Sequence, residues 1–281
     1  MRLRTVAIFI ILLATARPGF AQQRPLATED PETVGSGLIL LEGGFEYQND
    51  LFYPVSGLTG DLLRIGTIGV SLGISSIAEL QIDGGIVQRL TVTDRELAPL
   101  SGELTYTGDH TKDFEDIVIG TKVRLVSEAA GRPAIALRFA TRLPNASTES
   151  GIGLDTTDFF LSGILGKTVQ SIRVVGNLGI AVLTDPTRGY RQNDVMTYGM
   201  SLARAVKQGV EIVGEVNGRW STRNHDTPPG TDSRSIMRVG GRFTKGTVRI
   251  DGGLLVGLTS RDPSYGFTAG FTWVFNGFTV P

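Results

Sequence analysis

The chain has 281 residues, 41% hydrophobic and 20% charged, with 27 Lys plus Arg against 28 Asp plus Glu, two His and no Cys. The near balance of charge excludes a broadly basic nucleic-acid surface. The absence of Cys excludes a disulfide framework and a lipid-modified cysteine at an export junction.

Arg2 and Arg4 precede an apolar run over residues 6–14 and a small-residue exit, Gly19-Phe20-Ala21. This is the pattern of a secretory signal over residues 1–21, cleaved after Ala21; about ten apolar residues are too few to span a bilayer. Its removal takes away Arg2, Arg4 and Arg17 and leaves 24 basic residues against 28 acidic ones. Residues 22–36, with Pro25, Pro31 and several charges, read as a flexible lead-in on the periplasmic side.

From residue 37 onward the apolar residues recur with period two, the period of a strand. In 37–48, Ile39, Leu41, Phe45 and Tyr47 share one face, while Glu42, Glu46 and Gln48 take the other. In 61–74 the apolar set is Ile68, Val70, Leu72 and Ile74; Arg64 falls on that same parity, which requires a bulge or a rim position there. In 77–90, Ala78, Leu80, Ile82, Ile86 and Leu90 alternate with Glu79, Gln81, Asp83 and Arg89. Burying that polar set in a dry core would be costly, so it points to a wet interior. Residues 116–127 and 134–143 place Lys122 and Arg124, then Arg138 and Arg142, opposite apolar partners. The same alternation runs through 158–167, 172–183 with Arg173 and Asn177, 194–205, 210–220 with Glu211, Glu215 and Arg219, 235–243 with Arg238 and Arg242, and 247–259.

The last strand, 265–275, reads YGFTAGFTWVF, and its apolar residues Tyr265, Phe267, Ala269, Phe271, Trp273 and Phe275 all share one parity. Residues 276–281 form a short tail. Connections alternate longer and shorter, the longer ones near 50–60, 91–115, 144–157, 184–193 and 222–234. An even count of about twelve strands with this alternation is the signature of an all-β, transmembrane, antiparallel up-and-down barrel over residues 37–275. Both termini are then periplasmic. A β-helix or a sandwich does not predict this order of loop lengths.

With these parities the inward face carries Glu42, Glu46, Glu79, Asp83, Glu211, Glu215 and Asp251. Against them stand Arg89, Lys122, Arg124, Arg138, Arg142, Lys167, Arg173, Arg219, Arg238, Arg242 and Arg249, so bases outnumber acids. Two readings follow: a charged wall that sorts solutes, or cross-strand ion pairs that fill a narrow lumen. Lys122, Arg124, Arg138, Arg142, Arg173, Glu79, Asp83, Glu211, Glu215, Arg219, Arg238 and Arg242 are the candidate lumen and selectivity residues. His110 and His225 sit beside Asp109 and Asp226 without a companion serine, which gives no nucleophilic triad. Asp109, Asp113, Glu115 and Asp116 lack the spacing of a Ca²⁺ loop. No cofactor or metal is expected.

Around the central hairpins, Asp116-Ile117-Val118-Ile119-Gly120-Thr121-Lys122, Leu143-Pro144, Gly151-Ile152-Gly153-Leu154-Asp155 and Asn177-Leu178-Gly179 resemble a family of outer-membrane proteins. That family is named for the MetA pathway of phenol degradation and described as transporter-like. The resemblance covers roughly residues 114–183, with Asn145-Ala146 where the family often has Thr-Gly. It implies a barrel for passive uptake of small molecules, aromatic or hydrophobic compounds among them. The implied partners are outer-membrane lipid, the solute and the barrel assembly machinery. A closed structural or surface-interaction barrel and a barrel lipid hydrolase are the alternatives.

Overall fold

The structure is a computed structural model that describes residues 24–223 and 227–279. The signal segment, His225 and Asp226, and the last two residues of the tail lie outside the described residues. Thirteen strands are present among the described residues: β1 (Leu38–Tyr53), β2 (Leu58–Gly73), β3 (Ala78–Arg95), β4 (His110–Asp113), β5 (Val118–Val126), β6 (Ala134–Arg142), β7 (Asp158–Val169), β8 (Ile172–Thr184), β9 (Gln192–Lys207), β10 (Val210–Ser221), β11 (Arg234–Lys245), β12 (Val248–Gly257) and β13 (Tyr265–Asn276). Each pairs antiparallel with its neighbours, and β13 pairs with β1 from Leu38↔Asn276 to Asn49↔Tyr265, which closes the sheet on itself. The short β4 keeps the register of β5 against β3: Asp83 faces Val118, and Gln88 faces Asp113. The two pieces are one stave, and the barrel is twelve-stranded.

Both ends of the barrel segment lie together, where Gly277 N–H donates to Gly37 O at 2.9 Å. That turn end carries the connections 74–77, 127–133, 170–171, 208–209 and 246–247. The opposite loop end carries 96–109, 143–157, 185–191, 222–233 and 258–264. One expected loop is absent: β1 and β2 run on to Tyr53 and from Leu58, leaving a four-residue turn, because the strands extend as a paired ribbon past the barrel rim. The expected long loop over 91–115 is also partly strand, since β3 continues to Arg95 and β4 folds back on it.

Alternation sets the faces as the period-two pattern requires. Outward residues of β13 such as Tyr265, Phe267, Phe271 and Trp273 stay 41–53% exposed, while Thr268 and Thr272 on the other parity are buried. Exposed apolar side chains circle the whole outer wall, the arrangement that lipid requires. Aromatic contacts reinforce the closing seam: Phe267 of β13 has its ring centroid 5.2 Å from that of Tyr47 and 6.1 Å from that of Phe45, both on β1.

The conflict at Arg64 is resolved by a bulge. Gly66 adopts φ +67°, so Ile65 and Ile68 both face out, while Arg64 and Thr67 face in. Ile86 of β3 lies over the bulge, 2.9 Å from where a Cβ on Gly66 would stand, and parity changes on β3 as well. Arg89 therefore points outward and is exposed, whereas Leu90 is fully buried inside, the reverse of the sequence expectation.

At the loop end the interior is apolar. Leu51, Leu58, Leu62, Leu90, Val92 and Ile152 form a buried cluster, joined by Tyr53, Leu104 and Tyr106. β1, β2 and β3 have 16, 16 and 18 residues. About 9–11 suffice to cross a bilayer. The surplus stands clear of the membrane and needs a core of its own, which loops 96–109 and 143–157 complete with Leu104 and Ile152. Replacing Gly66 with Val places a β-branched residue at positive φ against Ile86. The loss should be about 1–2 kcal/mol or more, measured as a lower urea midpoint of the barrel refolded in detergent.

Candidate functional site: a lumen occupied by the N-terminal segment

Residues 24–36 run inside the barrel, which corrects the reading of this stretch as a flexible lead-in outside it. The wall makes room with glycine. A Cβ on Gly44 or Gly270 would stand 2.5 Å from the Arg24 side chain, one on Gly199 2.9 Å from Thr28, and one on Gly166 2.6 Å from Pro31. Pro25, Leu26, Thr28, Glu29, Pro31, Thr33 and Val34 are buried in consequence.

The segment's backbone donors, which have no strand partner, are taken by side chains of the wall. Glu215 on β10 accepts the N–H groups of Ala27 and Thr28, each at 2.8 Å. Asn177 on β8 clamps Glu29 at both ends of its peptide, accepting its N–H and donating to its carbonyl, each at 2.8 Å. Glu79 on β3 accepts Val34 N–H at 2.6 Å. Buried donors left unpaired would each cost about 1–3 kcal/mol, so these contacts are requirements of the path.

The segment's side chains in turn neutralise the wall. Glu29 sits 3.2 Å from Lys122 Nζ and 3.0 Å from Arg138 Nε. Asp30 takes Arg173 in a two-pronged bond at 2.7 and 2.9 Å, and its carbonyl accepts from Lys122 at 2.9 Å. Glu32 pairs with Arg124. Arg24 reaches the far wall, donating to Thr67, Thr268 and the carbonyl of Ala269 at 3.0–3.1 Å and lying 3.5 Å from Asp251.

All twelve candidate residues lie on the inward parity, in three groups. Lys122, Arg124, Arg138, Arg173, Glu79 and Glu215 hold the segment directly. Asp83 and Arg238 stand beside it: Arg138 is 3.5 Å from Asp83, and Arg238 is 3.1 Å from Glu215 and 3.8 Å from Glu46. Arg142, Arg219, Arg242 and Glu211 do not meet the segment in any of these contacts. Arg142 pairs with Asp158 and lies 3.7 Å from Asp116; Arg219 donates to the carbonyls of Gly230 and Asp232 in loop 222–233; Arg242 lies 3.3 Å from Glu211 at the turn end. The acidic partners of Lys122, Arg124 and Arg138 are thus Glu29 and Glu32 together with Glu79 and Asp83 of β3, rather than a facing wall across open water. Outside the strands, Glu128 in turn 127–133 is driven upward by burial, but the Thr168 N–H and Arg173 hold its carboxyl below the usual range.

Two adjoining cavities of about 420 and 270 Å³ remain at mid-height, sharing Arg24, Arg64, Thr67, Asp83 and Val118 in their lining. The smaller one is lined by inward groups, Glu42, Asp83 and Glu115, and also by Ile68 and Gly84 of the outward parity. It reaches the wall at the break between β4 and β5. There, over residues 114–117, the β3 ladder thins to one backbone bond, Glu115 N–H to Gly85 O at 3.2 Å. Asp116 accepts the N–H groups of Asn145 and Ala146. Glu115 reaches inward to Arg64.

Sequence reasoning missed Glu29, Asp30, Glu32 and Asn177 as site residues. Its signal was the surplus of bases over acids on the inward face, which calls for acids from elsewhere in the chain. Of the carboxylates weighed for Ca²⁺, Asp113 and Asp116 bind backbone N–H groups, and no metal-binding cluster is present among the described residues.

No family model matches the sequence, and no curated protein does. Solved structures do. An outer membrane channel from Pseudomonas putida F1 superposes with TM-score 0.62 at 12% identity, over 88% of this chain and 98% of its own. The NanC porin superposes with TM-score 0.51 at 7% identity, over 84% of this chain and 98% of its own. The chain therefore has the fold of the outer-membrane β-barrels. The resemblance to the phenol-degradation family stays a matter of short motifs.

Lys122 is 1% exposed and meets Glu29, Glu79 and the Asp30 carbonyl, so Lys122→Met leaves buried carboxylates uncompensated. The expected outcome is a loss of about 3–5 kcal/mol, with residues 24–36 becoming accessible to protease in the folded barrel.

Proposed function

We propose that this barrel admits small molecules passively across the outer membrane, with the loop end outside and both termini periplasmic, and that its solutes are small apolar or aromatic compounds. The observation that carries the reading is the pairing of a filled axis with an interrupted wall. Residues 24–36 cross the lumen under many charge-assisted bonds, and an apolar cluster stands at the loop end. Water-soluble solutes have little free section along that axis. The mid-height cavity, in contrast, extends to the break at 114–117, where Ile68, Ile86 and Ile117 stand exposed on the outer wall. An apolar molecule dissolved in the bilayer meets that break without crossing a charged aqueous path. The likeness to an outer membrane channel and to a porin supports the channel reading, and the short motifs shared with the phenol-degradation family support the solute class. Selectivity for charged solutes by the Arg and Lys wall is the lesser role, since nearly every candidate side chain is already paired.

The chain contains no cysteine, so a tether can be placed without interference. A Cβ on Gly84 would stand 3.7 Å from Ile117 Cα across the break. Oxidised Gly84→Cys/Ile117→Cys barrels in vesicles should take up a small aromatic dye at least several-fold more slowly than the reduced form. Deleting residues 24–33 should raise single-channel ion conductance. Unchanged dye uptake after oxidation would rule out the lateral route, and unchanged conductance after the deletion would rule out the segment as the axial obstruction.

A further inference from the structure

The outward face carries a feature that the proposed route leaves unused. Arg89 on β3 and Lys112 on β4 are direct register partners, and both are exposed. They face outward, because their neighbours Leu90 and Thr111, also partners, are buried inside at 0% and 4% exposure. Like charges placed directly opposite one another weaken a strand pair. Neither side chain has a hydrogen bond or ion pair among the described residues. The carboxylates of adjoining positions are engaged elsewhere: Asp61 accepts from Asn49 and from Asp50 N–H, and Asp109 lies 3.9 Å from Arg95.

The position of the pair is as informative as its charge. Phe267, Tyr47, Leu63, Arg89 and Lys112 are successive partners across β13, β1, β2, β3 and β4. One row thus runs from the outward aromatics of the seam to two adjacent cations. Strand tilt keeps such a row from being level, but Arg89 stands next to Leu90 of the loop-end cluster, which puts the pair at the loop-end margin of the outward apolar wall, where lipid headgroups lie. Beside the cations lie Ile86, 54% exposed, and Phe114, 63% exposed, on the wall of the β4–β5 break.

We infer that Arg89 and Lys112 form a docking site for the phosphate-bearing headgroup of an anionic membrane lipid in the leaflet at the loop end, with its acyl chains lying on Ile86 and Phe114. Charge complementarity favours this occupant: a phosphate accepts from both cations at once and removes their mutual repulsion. The inference rests on the membrane-spanning reading of the barrel and is independent of the lateral route. A lipid held there would border the break in the wall.

The test titrates the purified full barrel in detergent with phosphatidylglycerol, with phosphatidylcholine and with inorganic phosphate, counting bound molecules by native mass spectrometry. Phosphatidylglycerol should be retained in preference to phosphatidylcholine. Arg89→Gln/Lys112→Gln should lose that preference by roughly ten- to thirty-fold. Arg89→Lys should keep it, and so should Arg204→Gln/Lys207→Gln, which removes exposed cations from the turn end of β9. Retained heat-modifiable mobility on gels shows that each variant is folded. Equal retention of the two lipids, equal loss in both double variants, or displacement of lipid by matching concentrations of inorganic phosphate would overturn the assignment.

Discussion

The polar interior of this barrel depends on one exchange, in which residues 24–36 supply carboxylates to bases of the wall and peptide N–H groups to its acceptors, Glu215, Asn177 and Glu79. Lys122, with 1% exposure, is tolerable only because Glu29, Glu79 and the Asp30 carbonyl surround it. The segment in turn has no strand partner, so Glu215, Asn177 and Glu79 must take its N–H groups. The inward glycines are the steric half of the same arrangement, since a side chain at Gly44 or Gly270 would collide with Arg24.

That exchange orders the barrel from end to end. At the turn end and mid-height the lumen is polar and paired through the segment. At the loop end, where β1–β3 rise past the membrane, it is apolar and filled by loops. The weak place in the wall lies between these regimes, where Gly66 resets the parity of β2 and the β4–β5 stave leaves its ladder. Arg64 sits inside at this level because of the bulge and holds Glu115, the residue that spans the break. Bulge, break and cavity are therefore one local construction, and the lateral route proposed for apolar solutes depends on it.

The twelve staves, their alternating faces and the closing aromatic strand were legible in the residues, because each is a local property with period two; the connections were legible except near 50–60 and 91–115, where strands extend past the expected loop bounds. The bulge near Arg64 was legible too, as a charge on the wrong parity. Its effect on the next strand was not: Arg89 and Leu90 exchange faces because Ile86 packs over Gly66, a contact between strands that alternation along one strand cannot show.

The sequence by itself determined which side chains face inward along each strand, apart from β3 beyond the bulge where Arg89 and Leu90 exchange faces, and that the inward bases exceed the acids. Only the tertiary structure decided what neutralises them, because the partners are remote along the chain. Glu29 is 93 residues from Lys122 and 148 from Asn177. Alternation reports the face of a side chain and carries no information about which distant segment shares the enclosed space. A Pro-flanked, charged stretch before the first strand reads as solvated when taken alone. It becomes an internal element only when a closed wall of unmatched cations surrounds it, and closure is a property of the whole barrel.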